Sequence, residues 1–85
     1  MNYRLSHHAQ TELQRRNIPL ELLESVINSP QQIVAEREGR KAYQSQVKFD
    51  GRTFLLRVIV ADDVSPMIII TVYRTSRISK YWSQL

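Results

Sequence analysis

The sequence predicts a small α+β domain in which an N-terminal two-helix hairpin packs on one face of an antiparallel sheet of three to four strands. Apolar residues recur at helical spacing as far as Asn28, and from Gln32 onward they alternate with polar residues, which is typical of strands. Asp50-Gly51 then separates two alternating segments and indicates a tight hairpin. A chain of 85 residues is too short for a second independent core. We therefore expect a single domain over residues 1–85.

The residue pattern in the N-terminal third of the sequence predicts a short strand and two helices. Tyr3 and Leu5 alternate with polar neighbours, as in a short strand. Ser6 is suited to cap a helix that runs to about Asn17. A second helix begins at Pro19, since proline is well tolerated in the first turn. The apolar stripe of this second helix consists of Leu20, Leu23, Val26 and Ile27.

The Asp50-Gly51 turn fixes the register of the strands on either side, because both residues tolerate the positive φ of a type I′ turn. One face of the hairpin is then apolar and is expected to hold the helices. The other face is polar and carries Gln44 opposite Arg57, with Lys48 further along. The pairs expected on the apolar face are Phe49 with Arg52, Val47 with Phe54, Ser45 with Leu56, and Tyr43 with Val58.

Residues 67–73 predict a further strand, whose run of isoleucines is typical of a central position in a sheet. Two registers are open. In the preferred one the even-numbered residues from Ile68 face the helices, and Tyr73 shares the polar face with Arg57. The opposite register places Arg74 at the edge of the core. The residues that follow form either a last helix or a last strand.

Composition indicates an intracellular protein with an anionic partner. The chain has no cysteine, so neither a disulfide framework nor a thiolate metal site is expected. It shows no signal-peptide pattern or membrane-spanning segment, and we expect a cytoplasmic protein with no membrane partner. Twelve Lys and Arg against eight Asp and Glu give a net charge of +4. Such a surface attracts nucleic acids and acidic proteins alike.

The basic residues are concentrated near the C-terminus, where no acid follows Asp63. Arg74, Arg77 and Lys80 are therefore interpreted as phosphate contacts, with a merely solubilising tail as the alternative. Arg16, on the first helix, is added to the candidate RNA-binding residues.

Cleavage of RNA without a metal requires a base, cations that stabilise the phosphorane-like transition state, and an acid for the leaving oxygen. Arg57 is the best single candidate, because its charge is unusual in an apolar strand and guanidinium binds phosphate through two N–H groups. The alternative is a salt bridge to Glu36 or Glu38 on a neighbouring strand.

Tyr73, His8 and Lys48 complete the candidate catalytic set. Tyr73 is suited to donate a hydrogen bond or stack on a base, although tyrosine also favours strands for packing reasons. His8 belongs to the residue type best suited to proton transfer near neutral pH, although its helix stripe also fits an ordinary solvated surface. His7 and His8 do not form a metal pair, because adjacent helical residues do not face each other. We expect no metal and no cofactor.

The sequence contains, in this order, His8, Ala9, Leu13, Arg16, Ile18, Ile27, Pro30, Ile33, Tyr43 and Ile70-Thr71-Val72-Tyr73. Together these residues resemble the RelE/ParE toxin superfamily, particularly its BrnT-like branch and a related family of small uncharacterised domains. The resemblance implies a RelE-like fold and the toxin of a two-gene system, which a cognate antitoxin inhibits and which cuts RNA, often on the ribosome. The superfamily also contains non-catalytic inhibitors.

The leading hypothesis is a metal-independent ribonuclease toxin acting on mRNA, with RNA or the ribosome and an antitoxin as partners. Arg57, Tyr73 and Arg74 surround the scissile phosphate in this hypothesis, and His8 or Lys48 transfers protons. One alternative is a non-catalytic, ParE-like inhibitor that grips an acidic protein surface. The other is a binding domain that retains the fold alone.

Overall fold

The computed structural model describes residues 2–84 and confirms the α+β class. Across these residues, each helix is too short or too polar to traverse a lipid bilayer. In chain order the elements are β1 (Tyr3–Leu5), α1 (His7–Arg15), α2 (Leu20–Asn28), β2 (Gln32–Ala35), β3 (Lys41–Phe49), β4 (Arg52–Ala61), β5 (Met67–Thr75) and α3 (Ile78–Tyr81).

The sheet is mixed and five-stranded, with the strand order β1-β5-β4-β3-β2. Strands β2 to β5 form an antiparallel meander, but β1 pairs with β5 in parallel and places Tyr3 opposite Met67. The prediction of a purely antiparallel sheet of three to four strands was therefore wrong. The alternation near the N-terminus predicts strand β1 but not its partner, which lies more than sixty residues away in the sequence. Tertiary contacts determine this pairing, such as the hydrogen bond from Ser6 N to Ile69 O.

The two N-terminal helices, α1 and α2, also do not form the predicted packed hairpin. Helix α1 lies against β5 and β1, whereas α2 lies against β4 and β3, so each helix makes its main contacts with the sheet. The N-terminal cap is confirmed, because Ser6 Oγ accepts a hydrogen bond from Ala9 N. Pro19 occupies the cap position before α2 rather than its first turn. The chain after β5 forms the third helix.

The predicted β3–β4 hairpin is confirmed in every pair, from Phe49 opposite Arg52 to Tyr43 opposite Val58. Asp50 and Gly51 have φ values of 52° and 75°, as a type I′ turn requires. This register places Gln44 opposite Arg57 on the face away from α1 and α2.

Strand β5 contains a bulge at Ile70, which has no opposite residue in β4. Val72 lies in the core, as the preferred register predicts. On the other side of the bulge, Met67 and Ile69 enter the core in place of Ile68. Simple alternation fails here because the extra residue moves the following side chains to the opposite face.

The core lies between the sheet and the pair α1 and α2. Its buried residues are Ala9, Leu13, Ile18, Leu23, Val26, Ile27, Tyr43, Leu56, Val58, Val60, Met67, Ile69 and Val72.

The second face of the sheet, expected to be open, is partly covered by the C-terminal segment. Leu55 and Gln44 on that face are fully buried. Tyr81 of α3 lies over Arg57, and the backbone of Ser83 is hydrogen-bonded to Gln32.

Candidate functional site

A pocket of about 300 Å³ lies on the second face of the sheet, beside α3. Two strands, one turn and the C-terminal helix α3 contribute to it. Strand β4 supplies an arginine, β5 a tyrosine, and the turn that follows β2 supplies an acid and a second arginine. The lining residues are Glu36, Arg37, Arg57, Ile59, Tyr73 and Tyr81.

Arg57 forms the floor of this pocket and is only 4 % exposed. Its Nε donates to Gln44 Oε1 at 2.8 Å, and its Nη1 donates to the Tyr73 hydroxyl at 2.6 Å. Its Nη2 lies 3.4 Å from Glu36 Oε2 and completes an ion pair. A buried charge is costly unless it is paired and hydrogen-bonded, and all three nitrogens of this guanidinium have a partner.

Gln44 connects Arg57 to the C-terminal segment. While its Oε1 accepts from Arg57, its Nε2 donates to Gln32 Oε1 at 2.8 Å and to the Tyr81 carbonyl at 3.1 Å. Gln32 in turn donates to Ser83 O and accepts from Ser83 N. The two glutamines therefore hold the tail against the sheet and keep α3 over the pocket.

Two tyrosines enclose the guanidinium. The Tyr81 ring centroid lies 4.3 Å from the Arg57 guanidinium carbon, a cation–π distance, and the Tyr73 and Tyr81 rings meet edge to face. Burial raises the pKa of Tyr73 above its ordinary value, while the hydrogen bond from Arg57 opposes this shift. Tyr73 is therefore a neutral phenol at physiological pH. Because Arg57 donates to its oxygen, the hydroxyl proton is available to another acceptor.

Glu36 and Arg37 lie at the mouth of the pocket, where β2 ends and the chain turns through Glu38 and Gly39 at positive φ. The backbone of Glu36 is fixed by a hydrogen bond from its N–H to Arg40 O. Its side chain is 26 % exposed, so the carboxylate reaches both Arg57 and solvent. Arg37 is exposed and brings a second guanidinium to the same opening.

Of the predicted catalytic residues, the structure brings Arg57 and Tyr73 together but not the other two. His8 is exposed on α1, which packs on the opposite side of the sheet. Lys48 is exposed on the same face as Gln44 but lies four residues along β3, about 13 Å away. Neither side chain lines the pocket.

The predicted RNA-binding residues do not lie at a single site. Lys80 Nζ lies 5.2 Å from the Tyr81 ring centroid, at the rim of the pocket. Arg74 points to the helix side of the sheet, where it donates to the Arg16 carbonyl, so it does not share a site with Arg57 and Tyr73. Arg77 is exposed beyond the end of β5.

Sequence reasoning named Glu36 only as a salt-bridge partner and gave no role to Arg37 or Tyr81 in the site. A detectable signal lay in the register, because directly opposed residues form one polar row across four strands. An irregular turn places Glu36 and Arg37 next to this row. Their position could not be predicted, because the register of the strands does not extend through the turn. The row consists of Gln32, Gln44, Arg57 and Tyr73.

The pocket contains a carboxylate, two guanidinium groups and two phenols, of which that of Tyr73 has a raised pKa. Guanidinium groups bind phosphate oxygens, a carboxylate accepts a proton, and a phenol donates one. The pocket therefore offers groups suited to anion binding and to proton transfer at two separate atoms.

A family model described as a domain of unknown function, DUF4258, matches residues 5–74. The matched segment runs from the end of β1 almost to the end of β5 and includes Glu36, Arg57 and Tyr73, but not α3. Neither the curated proteins nor the solved structures contain a significant match to this chain. Because the family model covers most of the sequence, the chain belongs to the DUF4258 family.

Proposed function

We propose that this protein cleaves single-stranded RNA at the pocket on the second face of the sheet. The observation that supports the proposal is the convergence of Glu36, Arg57 and Tyr73, with Glu36 Oε2 and the Tyr73 hydroxyl each bonded to a different nitrogen of Arg57. One guanidinium thereby holds a proton acceptor and a proton donor at fixed positions on the two sides of a phosphate-binding group.

The proposed reaction is internal transphosphorylation. Glu36 accepts the proton of the ribose 2′-hydroxyl, whose oxygen attacks the adjacent phosphorus and forms the new P–O2′ bond. The P–O5′ bond breaks, and Tyr73 gives its proton to the departing 5′ oxygen. The products are a 2′,3′-cyclic phosphate and a 5′-hydroxyl end. The substrate itself supplies the nucleophile, so the atoms balance without a co-reactant.

Arg57 and Arg37 have different tasks in this proposal. Arg57 is buried and already hydrogen-bonded, so it orients Glu36 and Tyr73 and adds positive charge beneath the phosphate. Arg37 is exposed at the pocket mouth and is suited to contact the phosphate oxygens directly. Such preorganised cations stabilise the charge that develops in the transition state.

The resemblance to the RelE/ParE superfamily supports a biological setting for this activity. In that setting the protein is the toxin of a two-gene pair, its substrate is mRNA, free or on the ribosome, and a cognate antitoxin blocks it. Induction of the protein without its neighbouring gene is then expected to arrest growth, and Glu36→Gln is expected to abolish the arrest.

The test of the chemistry compares two acids in the same turn. Purified wild type, Glu36→Gln and Glu38→Gln are incubated with a single-stranded RNA in the presence of EDTA. Glu38 is the matched control, because its side chain is 75 % exposed and lies outside the pocket. Loss of the general base is expected to slow cleavage about 10²- to 10⁴-fold in Glu36→Gln, with Glu38→Gln unchanged. Equal cleavage by all three proteins would refute the proposed role of Glu36.

A second candidate, a non-catalytic binding domain in the manner of the ParE branch, is favoured by one specific observation. Arg57 is 4 % exposed and its three nitrogens are all occupied, which is also how an arginine that only stabilises the fold is held. A wild-type protein that arrests growth while leaving RNA intact would establish this candidate in place of the ribonuclease.

A further inference from the structure

The net positive charge of the molecule lies at one end. This hairpin end comprises the end of β3, the Asp50-Gly51 turn, the start of β4, the end of β5 and the C-terminal part of α1. Arg74 connects β5 to α1 by its hydrogen bond to Arg16 O. Two acids, Glu12 and Asp50, lie there among six cations. The cations are Arg15, Arg16, Lys48, Arg52, Arg74 and Arg77.

The net charge of the hairpin end is therefore +4, which equals the formal net charge of the whole chain. The remaining six cations and six carboxylates cancel. Within residues 2–84, Lys48, Arg52 and Arg77 have no carboxylate within 4 Å, so their charges are not neutralised locally. Charge of one sign collected at one end gives the molecule a directional attraction for polyanions.

Aromatic rings accompany these cations. Phe49 and Phe54 pack edge to face on the helix side of the sheet, and both are half-buried. The Arg74 guanidinium lies 4.1 Å from the Phe49 ring centroid, and that of Arg52 lies 5.4 Å from the Phe54 centroid. Guanidinium groups placed beside partly exposed rings are typical of surfaces on which single-stranded nucleic acids stack.

We propose that the hairpin end is a binding surface for the phosphate backbone of single-stranded RNA, distinct from the pocket around Arg57. Five of its six cations are arginines, whose planar N–H groups match two phosphate oxygens better than a lysine does. The neighbouring phenylalanines favour a strand with accessible bases over an acidic protein, since unpaired bases stack on aromatic rings.

The distance between this surface and the pocket determines which RNAs can contact both. This part of the inference rests on the proposed ribonuclease function. Arg52 precedes Arg57 by five residues on β4, so the two lie about 17 Å apart along the strand. A strand with its scissile phosphate in the pocket therefore reaches the hairpin end only if it continues for several nucleotides. Long RNA engages both sites, whereas a dinucleoside monophosphate engages the pocket alone.

The test uses two triple variants with equal net charge. Lys48→Gln/Arg52→Gln/Arg77→Gln removes three exposed cations of the hairpin end. Arg4→Gln/Arg40→Gln/Lys41→Gln removes three cations elsewhere and serves as the matched control. Thermal melts establish that both variants fold. Binding is measured against salt with a 2′-O-methyl RNA of about ten nucleotides, which cannot be cleaved through its 2′ oxygen, and with poly-glutamate.

We expect the hairpin-end variant to reduce the slope of log affinity against log salt by about 2, or roughly 0.7 for each lost phosphate contact. The control variant is expected to keep the wild-type slope. An equal reduction in both variants, or none in the first, would overturn the inference, because position would then not matter. Poly-glutamate bound as tightly as the RNA would overturn it in favour of an acidic protein partner.

Cleavage assays on two substrates distinguish a failure of this inference from a failure of the proposed function. The hairpin-end variant is expected to raise KM for a decamer of ordinary RNA and to leave the cleavage rate of a dinucleoside monophosphate unchanged. A similar loss on both substrates would contradict a separate surface. If the wild type cleaves neither substrate, the proposed ribonuclease is refuted, and the salt dependence of binding alone decides the inference.

Discussion

Replacement of Arg57 by alanine is expected to destabilise the fold markedly, and the contacts of its guanidinium give the magnitude. Gln44 Oε1 would lose its partner inside a fully buried residue, at a cost of about 1 to 3 kcal/mol. Breaking a buried ion pair typically costs about 3 to 5 kcal/mol. Because Glu36 is 26 % exposed and can be rehydrated, the lower end of that range applies. We therefore expect a loss of at least about 3 kcal/mol in the free energy of unfolding.

Urea denaturation followed by circular dichroism measures this loss. In a domain of this size, a loss of about 3 kcal/mol corresponds to a decrease of roughly 12 to 24 °C in Tm. Arg37→Ala is the matched control within the same pocket and is expected to change stability by no more than about 0.5 kcal/mol, because the side chain is exposed. A loss below about 1 kcal/mol in Arg57→Ala would refute the reasoning, since the network would then not depend on the guanidinium.

Other expectations follow from the same contacts. Burial, the largest cause in each case, raises the folded-state pKa of Tyr3, Tyr43 and Tyr73 above the unfolded value of 10.0. The folded state thus holds these protons more tightly, and urea unfolding at several pH values should show stability that is complete below pH 10 and decreases above it. Hydrogen bonds from Arg15 and Arg16 lower the pKa of Glu12 to about 2, from 4.5. Stability from Glu12 is present above pH 4.5 and is lost as pH falls toward 2, and Glu12→Gln should remove this part of the acid dependence in the same assay. Gly51→Ala should cost about 1 kcal/mol by urea denaturation, because alanine is strained at a φ of 75°; an unchanged midpoint would contradict this.

The sequence predicts the β3–β4 hairpin and its register completely, because two turn residues and a period of two determine both. It also predicts the Ser6 cap and the placement of Tyr73 beside Arg57. These features depend on residues close in sequence or on a register that follows directly from the turn.

The remainder depends on contacts that local patterns do not contain. The bulge at Ile70 changes which residues of β5 face the core, and the parallel pairing of β1 joins opposite ends of the chain. The cover over the second face depends on hydrogen bonds from Gln32 and Gln44 to the C-terminal segment. Without that cover, Arg57 is expected on an open surface, whereas the structure buries it under Tyr81.

In the proposed reaction, the pocket promotes attack by a ribose 2′-hydroxyl. The most direct measurement compares wild-type cleavage of an RNA oligonucleotide with cleavage of the same oligonucleotide after a single 2′-deoxy substitution at the cleaved position, and identifies the product ends. We expect a 2′,3′-cyclic phosphate and a 5′-hydroxyl from the RNA, and no cleavage at the deoxy position. A folded wild-type protein that leaves the RNA intact, or that cuts both oligonucleotides at the same rate, would contradict it.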